Sequence, residues 1–223
     1  MGEMVSFASN GGTTEGYRAV PPSGTGPGVI VVQEWWGLND QIKSTADRFA
    51  SEGFTALAPD FYHGEVTKEP DEAGKLMMAL NIDQVAKDAR GAAKYLKAET
   101  GGKVGVIGFC MGGQLALLAG TVAPQEIGAV VDLYGIHPSI KPDYSKMTAP
   151  VLALFAELDE MTNAEARAGL AGQLKKAGVR FDMHVYSDCD HAFMNETRPE
   201  VHHPEHAEDV WKRVVPFFHE NLR

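Results

Sequence analysis

The chain has 223 residues, of which 44% are hydrophobic and 22% charged, and 20 basic against 30 acidic residues give a formal net charge of −10. This composition predicts one globular domain that covers residues 1–223. The acidic excess excludes an electrostatic surface suited to nucleic acid, so we expect no nucleic-acid partner.

Two cysteines, Cys110 and Cys189, are too few for a disulfide framework or a cysteine-based metal cluster. No apolar segment has secretory length, and none is long enough to span a membrane. A cytoplasmic, reducing location is therefore predicted, with no membrane partner. We expect a small-molecule ester or lactone substrate, no cofactor, no metal, and a monomer or small homo-oligomer.

The predicted elements begin with two short antiparallel strands, near residues 5–7 and 16–20. Six further runs predict strands at 28–33, 54–58, the stretch before Cys110, 128–133, 151–156 and 180–186. Predicted helices run from Asn39 or Asp40 to about Ser51, over about 72–80, 84–99 and 163–177, after Cys110, and from Pro204 onward. Strands and helices alternate from residue 28. This alternation predicts an α/β fold, with a mostly parallel sheet of about eight strands and helices on both faces.

The sharpest motif is Gly108-Phe109-Cys110-Met111-Gly112, between a predicted strand and a predicted helix. It has the G-x-S-x-G pattern of a nucleophile elbow, with sulfur in place of oxygen. The two glycines face one another in such a turn, where a Cβ on either would clash. The elbow exposes Cys110 and directs the positive end of the helix at it, which favours a thiolate. A free cysteine is otherwise often an inert core residue, so the interpretation depends on its partners.

An elbow nucleophile requires a histidine base and an acid that orients it, in the chain order nucleophile, acid, histidine. Asp159 follows the predicted strand that ends at Ala156, and His191 follows the last predicted strand. Glu157 is the alternative acid on position alone. Carboxyl ends of parallel strands meet at one rim, which predicts a cluster of Glu34, Asp60, Cys110, Tyr134, Asp159 and His191.

Three alternatives remain open at this point. Three histidines near Pro204 suggest a metal site: His202, His203 and His206. The predicted helix start at Pro204 favours solvated capping residues there instead. Cys189 is two residues before His191 and could form a reversible disulfide with Cys110 in a thiol redox protein. A non-catalytic binding module on the same fold is the third alternative.

Three segments, in this order and spacing, resemble the dienelactone hydrolase family of the α/β-hydrolase fold: Glu34-Trp35-Trp36-Gly37, Gly108-Phe109-Cys110-Met111-Gly112-Gly113 and Asp190-His191-Ala192-Phe193. The resemblance covers nearly the whole chain. It implies a Cys110–His191–Asp159 triad and an oxyanion hole from the backbone N–H groups of Met111 and Trp35. It also implies that Glu34 hydrogen-bonds the resting Cys110 and keeps it a thiol.

The chain departs from the family where members that act on dienelactone hold its carboxylate. Gly64 and Asn195 stand at the two arginine positions, and Ala192 at the serine position. The predicted lining is aromatic and neutral, formed by Trp35, Trp36, Tyr62, Tyr134, Phe193 and Met194. An anionic substrate would lose its charge-assisted hydrogen bonds there.

We therefore expect a hydrolase that cleaves neutral apolar or aryl carboxylic esters or lactones through an acyl-Cys110 intermediate. The expected activities are those of a carboxylesterase, arylesterase or lactonase. One alternative is metal-independent phosphotriesterase activity at the same cysteine, because a neutral phosphotriester carries no charge for an arginine to bind. Hydrolysis of dienelactone itself (carboxymethylenebutenolide) is the other.

Overall fold

The computed structural model describes residues 2–9 and 11–222. Its strands are β1 (Glu3–Ser9), β2 (Gly12–Ala19), β3 (Gly28–Val32), β4 (Thr55–Pro59), β5 (Val104–Phe109), β6 (Ile127–Leu133), β7 (Val151–Ala156) and β8 (Phe181–Tyr186). Its α-helices are α1 (Asp40–Ser51), α2 (Pro70–Ala79), α3 (Ile82–Thr100), α4 (Met111–Val122), α5 (Ala164–Lys176) and α6 (Pro204–Asn221). A short 3-10 helix spans Tyr144–Lys146.

All eight strands form one sheet in the order β1-β2-β4-β3-β5-β6-β7-β8. The β1–β2 hairpin is antiparallel, β2 pairs antiparallel with β4, and every other neighbouring pair is parallel. The predicted mostly parallel α/β sheet is thus confirmed, and its predicted elements lie within a few residues of the observed ones. Parallel strands need crossover connections, which the helices supply.

Helices cover both faces of the sheet. Val29 of β3 pairs with Gly105 of β5, so Gly28 and Gly105 face opposite sides of the sheet. A Cβ on Gly28 would meet Leu96 of α3, and one on Gly105 would meet Phe218 of α6. Every residue of β3, β4, β5 and β7 is buried, as expected of strands covered on both faces.

The helix α1 begins and packs as its sequence predicts. Asn39 is the N-cap, and its side-chain oxygen accepts a hydrogen bond from the Ile42 backbone N–H at 3.1 Å. Phe49 packs against Trp211 and Phe218 of α6, with ring centroids 4.8 and 6.0 Å apart. In the part of the chain that the structure describes, no helix has both the length and the apolar character to cross a bilayer.

Candidate active site

Cys110 lies at the tip of the turn between β5 and α4, with φ 56° and ψ −125°. Non-glycine residues rarely adopt a positive φ, and they keep it only where the surrounding structure enforces it. Here the Cys110 backbone N–H donates to the Leu133 carbonyl at 3.0 Å, and the Cys110 carbonyl accepts from Gly113 N–H at 2.9 Å. These bonds hold the side chain at the carboxyl end of the central strand.

The glycines on either side of Cys110 are required by close backbone contacts. A Cβ on Gly108 would lie 1.8 Å from the Gly112 carbonyl oxygen. A Cβ on Gly112 would lie 2.3 Å from the Gln33 carbonyl oxygen. Neither distance is possible between non-bonded atoms, so the predicted clash at each glycine is confirmed, although a Cβ on Gly112 would meet the end of β3 and not Gly108.

Gly108→Ala is expected to lower the free energy of unfolding by about 3 kcal/mol or more, because the clash is with backbone that cannot rotate away. Urea unfolding followed by circular dichroism measures the change. Gly169→Ala in α5 is the matched control, since its Cβ would meet nothing within 4 Å. It should leave the stability unchanged or raise it by up to about 1 kcal/mol. Equal stabilities of the two variants would contradict this account of the elbow.

Asp159 and His191 are brought together by the loops that follow β7 and β8. The Nδ1 atom of His191 lies 2.6 Å from Oδ2 of Asp159. Asp159 is 3% exposed and also accepts hydrogen bonds from the Met161 and Thr162 backbone N–H groups and from the Thr162 hydroxyl. Burial favours its neutral form, but the hydrogen bond and charge of His191 outweigh this and lower the pKa of Asp159. An ionised Asp159 makes Nδ1 of His191 the donor, so Nε2 is the ring nitrogen that exchanges a proton with the reacting groups.

The ring of His191 interacts with both Asp159 and Cys110. Burial lowers its pKa, but the hydrogen bond to Asp159 and the interaction with Cys110 outweigh burial and raise the pKa to about 10. Nε2 is buried and has no hydrogen-bond partner in favourable geometry among the described residues. Cys110 still acts on the ring, so Nε2 is the nitrogen that can exchange a proton with the thiol or with a bound substrate.

Glu157, the alternative acid, does not occupy the orienting position. Its carboxylate accepts a hydrogen bond from the Asp188 backbone N–H at 3.4 Å, at the exposed surface. Asp159 alone of the two contacts the imidazole of His191.

The other cysteine, Cys189, is buried. Burial and the neighbouring carboxylates of Asp190 and Asp188 raise its pKa to about 11. Cys189 does not line the cavity into which Cys110 opens. The redox alternative is therefore disfavoured.

Glu34 lines the same cavity as Cys110, but its hydrogen bond is not to the thiol. Its Oε2 accepts from the Asn195 side-chain amide at 3.0 Å, and its Oε1 is buried with no partner among the described residues. The implied Glu34–Cys110 hydrogen bond is not formed in this structure: Asn195 donates to one carboxylate oxygen, and the other has no partner among the described residues. Burial raises the pKa of Glu34, and the opposing effects of His191 and Asn195 only partly offset it.

These side chains open into a cavity of about 770 Å³. The predicted residues that line it are Glu34, Trp35, Trp36, Cys110, Met111, Tyr134, Asp159 and His191. Asp60 lies outside the cavity: its carboxylate accepts hydrogen bonds from the backbone of Tyr62 and Gly64. Met111 begins α4, so the expected oxyanion donor adjoins the positive end of that helix.

Three predicted lining residues, Tyr62, Phe193 and Met194, lie outside the cavity, and the prediction is wrong for them. The Tyr62 hydroxyl donates a hydrogen bond to the Met111 sulfur at 3.7 Å. Phe193 is fully buried, and Met194 lines a separate cavity near α6. Ala192 has φ 65°, so the chain turns sharply after His191 and carries both following side chains away from the rim.

The sequence interpretation missed a set of aliphatic and charged lining residues: Met77, Ile136, His137, Pro138, Leu158, Glu160, Met161, Thr162, Asp190, Ala192, Arg198 and Val201. Met77 comes from α2, and the other residues of this set come from loops. The cavity is thus less aromatic than predicted, and it contains a guanidinium. Arg198 donates to Glu200 at 2.9 Å, so that guanidinium is already paired with a carboxylate.

A mostly parallel sheet with a glycine-framed elbow after its central strand, an aspartate after β7 and a histidine after β8 defines an α/β-hydrolase. The model of the dienelactone hydrolase family matches residues 14–222. The chain belongs to the dienelactone hydrolase family, a family of hydrolases.

Similar proteins agree with this assignment over full length. "Protein usf" of Aquifex pyrophilus is 42% identical, with 100% of both chains covered. A protein of Aquifex aeolicus (strain VF5), provisionally named a carboxymethylenebutenolidase, is 36% identical over 100% of both chains. The crystal structure of a dienelactone hydrolase-like promiscuous phosphotriesterase from metagenomic libraries has a TM-score of 0.87 at 22% identity, covering 100% of this chain and 99% of that one.

Proposed function

We propose that this chain hydrolyses neutral apolar or aryl carboxylic esters or lactones through an acyl-Cys110 intermediate. The observation that carries the proposal is the 2.6 Å contact between His191 and Asp159. It orients the imidazole in the cavity that also contains the elbow cysteine. A nucleophile, a base and an acid that orients the base are the requirements for acyl transfer.

In the acylation half, the sulfur of Cys110 bonds to the substrate carbonyl carbon while the thiol proton is held on Nε2 of His191, which the raised pKa of that imidazole favours. The carbonyl oxygen becomes an oxyanion and accepts hydrogen bonds from the backbone N–H groups of Met111 and Trp35. The carbon–oxygen bond to the alcohol then breaks, and His191 returns the proton to the departing alkoxide. Asp159 stabilises the imidazolium that forms in between.

In the deacylation half, His191 removes a proton from water, and the resulting hydroxide attacks the thioester carbon. The carbon–sulfur bond breaks, the carboxylic acid leaves, and the proton returns to the Cys110 sulfur. For a lactone the alcohol and acid remain in one molecule, so the product is a hydroxy acid. No oxidant or cofactor enters either half.

Glu34 fits this scheme as a modulator of the resting thiol through charge. A carboxylate near the sulfur disfavours a second anion, which keeps Cys110 less oxidisable between turnovers. Asn195 fixes the orientation of that carboxylate. The raised pKa of Glu34 means that this influence is reduced whenever the group is protonated.

The charges that line the cavity favour neutral substrates. Four carboxyl groups line it and outnumber two cationic groups, the Arg198 guanidinium, which donates to Glu200, and the imidazole of His191, whose pKa is raised to about 10. The carboxyl groups belong to Glu34, Asp159, Glu160 and Asp190. A carboxylate on the substrate would therefore meet net repulsion, and the cavity volume is large enough for an aryl ester.

The substrate preference is tested with two matched esters, p-nitrophenyl butyrate and p-nitrophenyl hemisuccinate, which differ by a carboxylate at the end of the acyl chain. We expect kcat/KM to be at least about tenfold higher for the butyrate, a ratio that corresponds to about 1.4 kcal/mol of repulsion. Glu160→Gln should narrow the ratio, because it removes one negative charge from the lining. Faster turnover of the hemisuccinate, or of dienelactone, would overturn the proposed substrate class.

A phosphotriester is the second candidate substrate. A neutral aryl phosphotriester also needs a nucleophile and an oxyanion site, and the fold matches that of the phosphotriesterase-named structure with a TM-score of 0.87. Sulfur attack at phosphorus would expel the aryloxide, and water would then release the phosphoryl group from Cys110. If the same thiol attacks both substrates, Cys110→Ala should lose phosphotriester turnover and ester turnover together. Phosphotriester turnover that survives in this variant would reject the candidate.

A further inference from the structure

Three potential metal ligands, Cys189, His203 and His206, form a second cluster of functional side chains beside the start of α6. The Sγ atom of Cys189 and one ring nitrogen each of His203 and His206 lie within 4.8 Å of one another. Cys189 is buried, and both histidines are half-buried. None of the three lines the 770 Å³ cavity, so the cluster is separate from the candidate active site.

The donor set and its spacing suit zinc. A tetrahedral Zn²⁺ site has Zn–S bonds of about 2.3 Å and Zn–N bonds of about 2.0–2.1 Å, which places its ligand atoms roughly 3.3–3.8 Å apart. The three donor atoms, all within 4.8 Å of one another, lie close to that spacing. One thiolate and two imidazoles favour Zn²⁺ over Mg²⁺ or Ca²⁺, which prefer oxygen ligands.

The two histidine rings already share one orientation. Their centroids are 4.0 Å apart and their planes are inclined by 26°. His203 is the N-cap of α6, and its Nδ1 accepts a 3.4 Å hydrogen bond from the His206 backbone N–H. That bond is long, so little is lost if the ring rotates to coordinate an ion.

The neighbouring histidine is held elsewhere. The Nδ1 atom of His202 lies 3.1 Å from the Phe193 carbonyl oxygen, which also accepts a hydrogen bond from the His203 backbone N–H at 3.0 Å. These contacts join the chain just before α6 to the loop that carries His191. They leave the rings of His203 and His206 beside the thiol of Cys189.

Cys189 occupies the junction of both loops of the candidate active site. Its carbonyl accepts a 2.9 Å hydrogen bond from the backbone N–H of Leu158, the residue before Asp159. It lies two residues before His191. An ion bound here would connect the two loops and the start of α6.

We propose that Cys189, His203 and His206 bind one Zn²⁺ ion, with water in the fourth position, and that the ion ties the His191 loop to the start of α6. Binding displaces the thiol proton of Cys189 to solvent and forms one Zn–S and two Zn–N bonds, with no change in oxidation state. The role is structural, and it does not depend on the reaction proposed for Cys110.

The test uses the full-length Cys110→Ala protein, so that a metal ion cannot bind through the elbow thiol. Titration with Co²⁺ should give one bound ion per chain, a sulfur-to-cobalt charge-transfer band and the strong visible absorption of tetrahedral cobalt. Zn²⁺ should abolish these bands by displacement. At about one hundred times its Kd, Zn²⁺ should raise the melting temperature by about 5–10 °C.

Three variants in that background assign the ligands. Cys189→Ser should eliminate the charge-transfer band, and His206→Gln should weaken Co²⁺ binding at least about tenfold. His219→Gln, near the other end of α6, is the matched control and should bind Co²⁺ like the parent. If Cys189→Ser does not fold, His206→Gln decides the outcome. No Co²⁺ uptake at millimolar concentration, a band that persists in Cys189→Ser, or unchanged affinity in His206→Gln would overturn the proposal.

Discussion

Cys110→Ala is expected to lower kcat/KM on an aryl ester by about 10⁴-fold or more, because it removes the thiol that forms the covalent intermediate. Alanine keeps the Cβ and removes only the sulfur, so the elbow should remain folded. The residual rate would come from the oxyanion donors and from substrate positioning alone. Steady-state kinetics on p-nitrophenyl butyrate measure the loss.

Intact-mass spectrometry supplies an independent readout of the same step. Rapid quenching of the parent protein during turnover should show an acyl adduct, and peptide mapping should place it on Cys110 and not on the buried Cys189. Met78→Ala is the matched control, since Met78 is 82% exposed and lies outside the cavity. An adduct on another residue, or more than a tenth of the activity in Cys110→Ala, would refute the covalent mechanism.

The architecture follows from local patterns that tertiary structure does not override. The apolar run over 28–33 requires a strand covered on both faces, and β3 is buried throughout. The roles of Gly108 and Gly112 could be predicted from the sequence because a side chain at either position would clash with backbone atoms. The chain order of Cys110, Asp159 and His191 predicted their proximity, because each follows a strand whose carboxyl end reaches the same rim.

The parts that sequence reasoning missed depend on loop conformation. Phe193 follows Ala192, whose positive φ of 65° no pattern of neighbouring residues foretells. Asn195 was interpreted only as a missing arginine, whereas the fold places its amide against Glu34 across 161 residues of sequence. Met77 reaches the cavity from α2, a helix whose position on the sheet is not set by its own periodicity.

The histidines near Pro204 also show that sequence spacing does not predict which side chains meet in a loop. His202 and His206 are four residues apart, which would place them on one face of a helix. The helix α6 begins only at Pro204, so His202 lies outside it and its ring turns to Phe193. His203, as the N-cap, is instead the residue paired with His206.

Asp159→Asn is expected to lower kcat by about 10³- to 10⁴-fold while leaving the fold intact. The amide oxygen of asparagine can still accept hydrogen bonds from the Met161 and Thr162 backbone, as Oδ1 of Asp159 does now. The amide NH₂ would then face Nδ1 of His191 and donate to it. The imidazole would carry its proton on Nε2, the atom that must accept the thiol proton, so the base would be in the wrong tautomer.

Glu157→Gln provides the matched control for this prediction, since it removes a carboxylate two residues away on the same loop without a contact to His191. It should retain nearly full activity. His191→Gln should be at least as damaging as Asp159→Asn, and the double variant should be little worse than His191→Gln alone, because Asp159 acts only through the imidazole. Losses that multiply in the double variant would show that Asp159 contributes independently of His191. A large loss in Glu157→Gln would return the role of the orienting acid to Glu157.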